Sequence, residues 1–185
     1  MRIISGFLKG KSIKYLKNTV TRPLRDAVRE NIFNILAHSK QIIPKIDKAK
    51  ILDLYSGVGS FGLECISRGA EKVTFIENDL IAINTLKENL ISLSISNQAK
   101  IINNKIENVN LSKIERFNII FLDPPFSNNH FVNDLMSIKK NKAFQKNHVV
   151  IIHREKSTND NFEEILETIL TKKYGRSKII FGCFI

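Results

Sequence analysis

Between residues 50 and 153 the chain alternates unbroken apolar runs with helical patterns, and few folds accommodate that alternation. Lys50-Ile51-Leu52-Asp53-Leu54, Lys72-Val73-Thr74-Phe75-Ile76-Glu77, Ala99-Lys100-Ile101-Ile102, Phe117 to Asp123 and His148 to His153 read as strands. Continuous apolar strands, as opposed to alternating ones, are covered on both faces, which is the condition of a parallel sheet between helices. The intervening stretches supply helices: a short one from Gly59 to Gly69, one from Asp79 to about Leu93, and one from Phe131 to Ile138. In the second, Ala82, Ile83, Leu86, Leu90 and Leu93 recur at helical spacing and form its core side. Two further runs, Glu167 to Tyr174 and Ser177 to Phe184, flank Gly175 as an antiparallel pair. The expected fold is α/β, a mainly parallel seven-stranded sheet ending in an antiparallel hairpin. At 185 residues the chain is expected to be one domain.

Ahead of this core lies a segment of different character. Residues 1–29 hold eight Lys/Arg and one acid, a net of +7 out of +11 for the whole chain. A basic face concentrated in this way points to a polyanionic partner. Arg2-Ile3-Ile4-Ser5 and Lys11 to Leu16 read as two short strands around a Gly6 to Gly10 turn. Thr21-Arg22-Pro23 opens a helix, since proline is tolerated in the first turn. Its buried stripe is expected to comprise Leu24, Ala27, Val28, Ile32, Ile35 and Leu36. Arg22, Arg25 and Arg29 then share one side, either awaiting an anion or neutralised by Asp26 and Glu30.

Gly57-Val58-Gly59-Ser60-Phe61-Gly62 follows a strand and opens a helix, and Glu77 stands twenty residues after Gly57. That spacing suits a nucleotide whose ribose diol meets the acid, and alone it also fits a dinucleotide fingerprint. Asp53 discriminates. It lies at the mouth where a pyrophosphate would sit, and a carboxylate there repels phosphate but favours the sulfonium and ammonium of S-adenosylmethionine. Asn103, Asn104 and Lys105 end the third strand, at the edge where the adenine of such a ligand lies.

Asp123-Pro124-Pro125-Phe126 ends the fourth apolar run. An exocyclic amine on a nucleobase is a poor nucleophile because its lone pair is delocalised into the ring. Acceptors for its N–H groups localise that pair. The Asp123 carboxylate and the Pro124 carbonyl are the candidates, on a backbone that the two prolines hold extended. Phe126 would stack on the base, worth roughly 1–3 kcal/mol. The four histidines show no ligand spacing, and no metal is expected. His148 and His153, inside a strand pattern, are expected to be structural.

With these residues, the chain resembles the bacterial family that methylates N2 of guanine 966 in 16S ribosomal RNA. The resemblance rests on Arg2-Ile3-Ile4-Ser5-Gly6 with Lys9-Gly10-Lys11, on Thr21-Arg22-Pro23, Asp26, Val28-Arg29-Glu30 and Phe33-Asn34-Ile35-Leu36, and on Leu52-Asp53-Leu54-Tyr55-Ser56-Gly57 through Glu64. Phe75-Ile76-Glu77-Asn78-Asp79, Asp123 to Phe126 and Tyr174-Gly175 complete it. Leu24, Arg25, Ala27 and Lys105 depart from the residues usual in the family.

The resemblance implies a Rossmann-like class I methyltransferase using S-adenosyl-L-methionine. It implies donor contacts from Asp53, Tyr55, Gly57, Gly59, Gly62, Glu77, Asn78, Asn104 and Lys105, and catalysis at Asp123, Pro124, Pro125 and Phe126. It implies RNA contacts from Arg2, Lys9, Lys11, Lys14, Arg22, Arg25 and Arg29. The partner would be 16S rRNA in the small ribosomal subunit or an assembly intermediate. Residues 1–37 would form the RNA-contacting hairpin and helix, and residues 48–185 the catalytic core. An adenine-N6 methyltransferase shares the donor and Asp-Pro-Pro-Phe motifs but normally carries an insertion for target recognition. An RNA-binding assembly factor with a vestigial donor pocket is the alternative of another class. Two isolated cysteines, Cys65 and Cys183, and the lack of a signal-like or membrane-length apolar run suit a cytoplasmic chain; a monomer is expected.

Overall fold

The computed structural model describes residues 1–16, 24, 26–128 and 130–185. The elements in chain order are α1 (Asp26–His38), β1 (Lys50–Leu54), α2 (Ser60–Ser67), β2 (Lys72–Glu77), α3 (Leu80–Ser92), β3 (Ala99–Asn103), β4 (Phe117–Leu122), α4 (Phe131–Lys140), β5 (Phe144–Glu155), β6 (Leu166–Tyr174) and β7 (Ser177–Phe184). The seven strands form one sheet in the order β3-β2-β1-β4-β5-β7-β6. β1 to β5 are mutually parallel, while β7 runs antiparallel to both β5 and β6. This is the architecture expected from the apolar runs. The strand order reverses between β1 and β4, and the crevice beyond their carboxyl ends is the place where open α/β sheets bind ligands.

Two apolar layers hold the sheet. Ile51, Phe75, Phe121, Val149 and Ile151 face Phe61 and Ile66 of α2, Ile32 and Phe33 of α1, and Leu86 of α3. Leu52, Leu54, Ile120, Leu122 and Ile152 face Phe131, Leu135 and Ile138 of α4. Within β1, β2 and β5, and in β4 from Ile119 onward, odd-numbered residues go to the first layer and even-numbered ones to the second, as the period of two requires; the irregularity between Phe117 and Ile119 puts Phe117 in the second layer. α3 is capped by Asp79, whose carboxylate accepts from Ile81 N at 2.7 Å and Ala82 N at 3.2 Å. No described helix is long and apolar enough to cross a membrane.

The N-terminal segment is more compact than the two expected strands. Arg2 and Ser12 make a single antiparallel bridge, and Ile3 N to Lys11 O (3.0 Å) and Gly10 N to Ile3 O (2.9 Å) close the turn. Its anchor is α2. The buried Glu64 carboxylate accepts from Ile4 N at 2.7 Å and Ser5 N at 2.9 Å, and Ser67 bonds the backbones of Ser5, Phe7 and Leu8. Gly6 has φ +85°, and a Cβ there would stand 1.8 Å from the Ser67 carbonyl oxygen, so only glycine fits against the helix. Ile3, Leu8 and Ile13 join the same apolar layer as α1 and α2.

The expected helix opening at Thr21-Arg22-Pro23 lies outside the described residues, as do Arg22 and Arg25. Within α1 the buried residues are Val28, Arg29, Ile32, Phe33 and Leu36. Leu24, Val28, Ile32 and Leu36 of the expected stripe are buried and Ile35 is partly so, but Ala27 is exposed, and Arg29 points inward. Its guanidinium donates to Arg2 O at 2.7 Å and to Asp26 at 3.0 Å, with Met1 Sδ at 2.9 Å. Burial lowers its pKa, with Asp26 and Glu64 opposing that shift. Arg29 ties the N-terminal strand to α1, and its fully buried side chain does not meet an RNA phosphate. Of the two acids expected to neutralise the stripe, Asp26 pairs with Arg29.

Candidate active site

The end of β1 and the loop after it build one wall of the crevice. Asp53 is 1% exposed, and its Oδ2 accepts from Gly62 N at 3.0 Å. Burial holds its pKa well above the usual carboxylate range; the Gly62 N–H partly offsets this, while the charges of Asp123 and Glu77 add to it. Gly59 is left-handed at φ +84°, and a Cβ would meet Leu86 at 2.4 Å. At Gly62 a Cβ would run into the Phe75 ring at 2.3 Å, so α2 can start close against β2 only with glycine here.

Glu77, at the end of β2, braces this loop. One of its oxygens accepts from Gly57 N at 2.8 Å, and the other from Asn78 N at 2.8 Å and Asp79 N at 2.9 Å. A carboxylate has about four acceptor sites, so the acid can hold the loop and still accept from a hydroxyl. Asn104 N reaches Glu77 O at 3.1 Å, which sets the end of β3 beside it. Lys105 is exposed, with Nζ 3.8 Å from Glu107. Tyr55 turns the other way: its backbone is left-handed at φ 57°, and its hydroxyl donates to Asp134 of α4 while accepting from Asn128 at 3.4 Å. Burial and the Asp134 carboxylate raise the Tyr55 pKa, so it remains a neutral phenol that ties the β1 loop to α4.

The opposite wall is Asp123 to Phe126. Asp123 N donates to Leu54 O at 3.4 Å, so the motif begins level with the end of β1. Pro124 is buried and Pro125 exposed, with Phe126 half-buried. Asp123 Oδ1 lies 2.7 Å from His153 Nδ1, and the Phe126 ring meets the His153 ring edge-on at 5.4 Å between centroids. Arg154, wholly buried, donates to Pro125 O and Phe126 O at 3.2 Å each and pairs with Asp160 at 2.9 Å.

The structure therefore gathers Asp53, Gly57, Gly59, Gly62, Glu77 and Asp123 at one crevice, with Asn78 and Asn104 at its β2–β3 end. It does not bring the basic N-terminal residues into that cluster. Arg2, Lys9, Lys11 and Lys14 are exposed around the hairpin, and Lys14 Nζ pairs with Glu88 at 3.0 Å. Sequence reasoning missed His153 and Arg154 as neighbours of the motif. A signal existed: Ile119 to Leu122 and Val149 to Ile152 are apolar quartets, each followed at once by a polar residue. Their register, Ile119 beside Val149 through Leu122 beside Ile152, carries Asp123 and His153 to the same height.

Comparison with known proteins bears on what this crevice does. The family model described as conserved hypothetical protein 95 matches residues 1–183. A protein of Haemophilus influenzae named ribosomal RNA small subunit methyltransferase D is 35% identical over 159 residues, covering 84% of this chain and 79% of that one. A protein of the same name from Buchnera aphidicola subsp. Baizongia pistaciae is 33% identical over 184 residues, covering 100% and 91%. Among solved structures, an Escherichia coli chain described as a methyltransferase has a TM-score of 0.81 at 28% identity, covering 98% of this chain and 96% of that one. An RNA methyltransferase from Salinibacter ruber, solved in complex with S-adenosyl-L-homocysteine, shares the fold at a TM-score of 0.64 and 13% identity, covering 86% and 92%.

Proposed function

The chain belongs to the conserved hypothetical protein 95 family, and on that premise we propose that it is an S-adenosylmethionine-dependent 16S rRNA methyltransferase acting on N2 of guanine 966. The observation that carries the reading is the set of three carboxylates, Asp53, Glu77 and Asp123, around a glycine-lined crevice where the strand order reverses. Phosphate would be repelled there. A ligand with two positive groups and a ribose diol matches the set, and S-adenosylmethionine, when bound, supplies an electrophilic methyl group.

The residues of this chain do the rest. Asp53 favours the cationic end of the donor, and neutralising that charge nearby removes part of the cost of burying the carboxylate. Glu77, with three of its acceptor sites already taken by backbone N–H groups, accepts from one ribose hydroxyl. The Asp123 carboxylate and the Pro124 carbonyl accept from the two N–H groups of the guanine amine, which localises its lone pair for attack on the methyl carbon. Phe126 stacks on the extruded base, a step that enzymes acting on nucleobases share. The donor would give up its methyl group to that nitrogen and leave as the neutral thioether, and Asp123 or water takes the proton that the amine nitrogen loses. Much of the rate enhancement comes from holding the reacting atoms in line. The exposed Arg2, Lys9 and Lys11 hold RNA phosphates and contribute a salt-dependent part of the affinity.

Tritiated methyl transfer to small ribosomal subunits lacking the modification tests the reading. Nucleoside analysis is expected to yield N2-methylguanosine, and N6-methyladenosine in its place would assign the chain to the adenine class.

A further inference from the structure

Asp123 has two oxygens, and in the proposed reaction only one faces the amine. β4 and β5 run parallel and in register up to Leu122 beside Ile152, so Asp123, just past the end of β4, lies beside His153 of β5 on the face that carries α2. β7 pairs with β5 from the other side and brings Ser177 to the same ring. His153 Nδ1 lies 2.7 Å from Asp123 Oδ1, and Nε2 lies 2.9 Å from Ser177 Oγ. A carboxylate only accepts, so Nδ1 carries the hydrogen and donates, and Nε2 accepts from the Ser177 hydroxyl. The next residue, Arg154, points to the opposite face and holds the Pro125 and Phe126 carbonyls. Asp160 fixes that guanidinium at 2.9 and 3.1 Å, and Thr158 donates to Asp160 at 2.7 Å. Among the described residues, no hydrogen bond reaches Asp123 Oδ2 or the Pro124 carbonyl.

We infer that His153 is a positioning residue: it holds Oδ1 of Asp123 so that Oδ2 faces the substrate amine, while Arg154 fixes the following carbonyls away from the substrate. The end of β5 thereby selects which two acceptors of the Asp-Pro-Pro-Phe loop are presented. This inference rests on the amine-methylation reading and adds to it a residue outside the motif.

The test compares His153→Leu, which loses the donor, with His153→Asn, whose amide can donate in place of Nδ1. Initial rates on unmodified small subunits, binding of labelled S-adenosylhomocysteine by equilibrium dialysis, and thermal midpoints are measured for both. His153→Leu is expected to lower kcat by about 10- to 100-fold, the range that misplacing a reacting group by about 1 Å produces. Its KM and donor affinity are expected to stay within about two-fold, and His153→Asn is expected to recover most of kcat. An unchanged kcat in the Leu variant, or equal losses in both variants, overturns the inference. Should the Leu chain fail to fold, the Asn variant decides: retained kcat supports positioning, and lost kcat with intact donor binding overturns it. Ring ¹⁵N shifts of His153 in the wild type separate this inference from the functional reading. A protein inactive on subunits that still shows Nδ1–H loses the functional reading and keeps the hold on Asp123, whereas a ring with no hydrogen on Nδ1 removes the hold.

Discussion

At the residue scale the crevice is defined by an acid in an expensive place. Because burial raises the Asp53 pKa, the native chain keeps a proton there that the unfolded chain has released at the same pH. Stability from this group is therefore present near the ordinary aspartate value and falls as pH rises through the elevated native one. Asp53→Asn removes the charge but keeps an acceptor for Gly62 N–H. Without ligand its thermal midpoint near pH 7 is expected to rise by about 2–4 °C, the shift that about 1 kcal/mol gives at this chain length. The gain should shrink toward pH 4, and donor binding should be lost; calorimetry and dialysis at the two pH values check both. Asp123→Ala is expected to abolish methyl transfer while leaving donor affinity within a few-fold, and full activity in that variant would remove the amine contact. Asp53, Glu77 and Asp123 were readable because glycine spacing and motif position mark them. His153 and Arg154 were not, since their relevance comes from strand register, and a strand pattern alone does not say which neighbour lies beside it.

Among the elements, the parallel strands were legible and the N-terminal segment only partly so. Apolar runs such as Phe117–Leu122 announce themselves because a strand covered on both faces has no polar side to show. Around α1 the apolar pattern marks Leu24, Val28, Ile32 and Leu36 correctly and fails at Ala27 and Arg29, since an arginine ordinarily faces solvent. Its burial follows from contacts to Met1 and Arg2 that lie 28 and 27 residues away. An Arg29→Glu change is accordingly expected to unfold the N-terminal region before it reports on RNA. Glu64 gives the sharper test. It is 0% exposed, and its carboxylate takes Ile4 N, Ser5 N and Arg68 Nε. Glu64→Ala is expected to cost about 2–3 kcal/mol, the scale of losing buried hydrogen bonds to a charge. Hydrogen exchange should show residues 3–13 opening ahead of the sheet, and uniform loss of protection across both would contradict a local anchor.

For the whole molecule, charge is distributed against chemistry. The crevice is acidic, yet the chain carries a net +11, and the exposed lysines of the N-terminal hairpin lie apart from the acids. One surface is thus suited to a cationic donor and another to a polyanion. Lys9→Ala with Lys11→Ala is expected to lower affinity for the small subunit and to reduce the slope of log affinity against log salt by about 1–2, as loss of two phosphate contacts requires. Methyl transfer at saturating subunit concentration should be unchanged. An unaltered slope would place the RNA contact elsewhere on the chain.

Asn89 connects these two surfaces. Fully buried, its side chain accepts from Lys14 N at 2.8 Å and donates to Lys14 O at 3.1 Å and to Val58 O, in the glycine loop, at 3.3 Å. One amide therefore spans the basic arm and the rim of the proposed donor cradle. On the proposed function such an arm is not a detachable reader: grafting another segment in its place would loosen the glycine loop assigned to the methyl donor, so target choice and donor affinity would have to be re-engineered together.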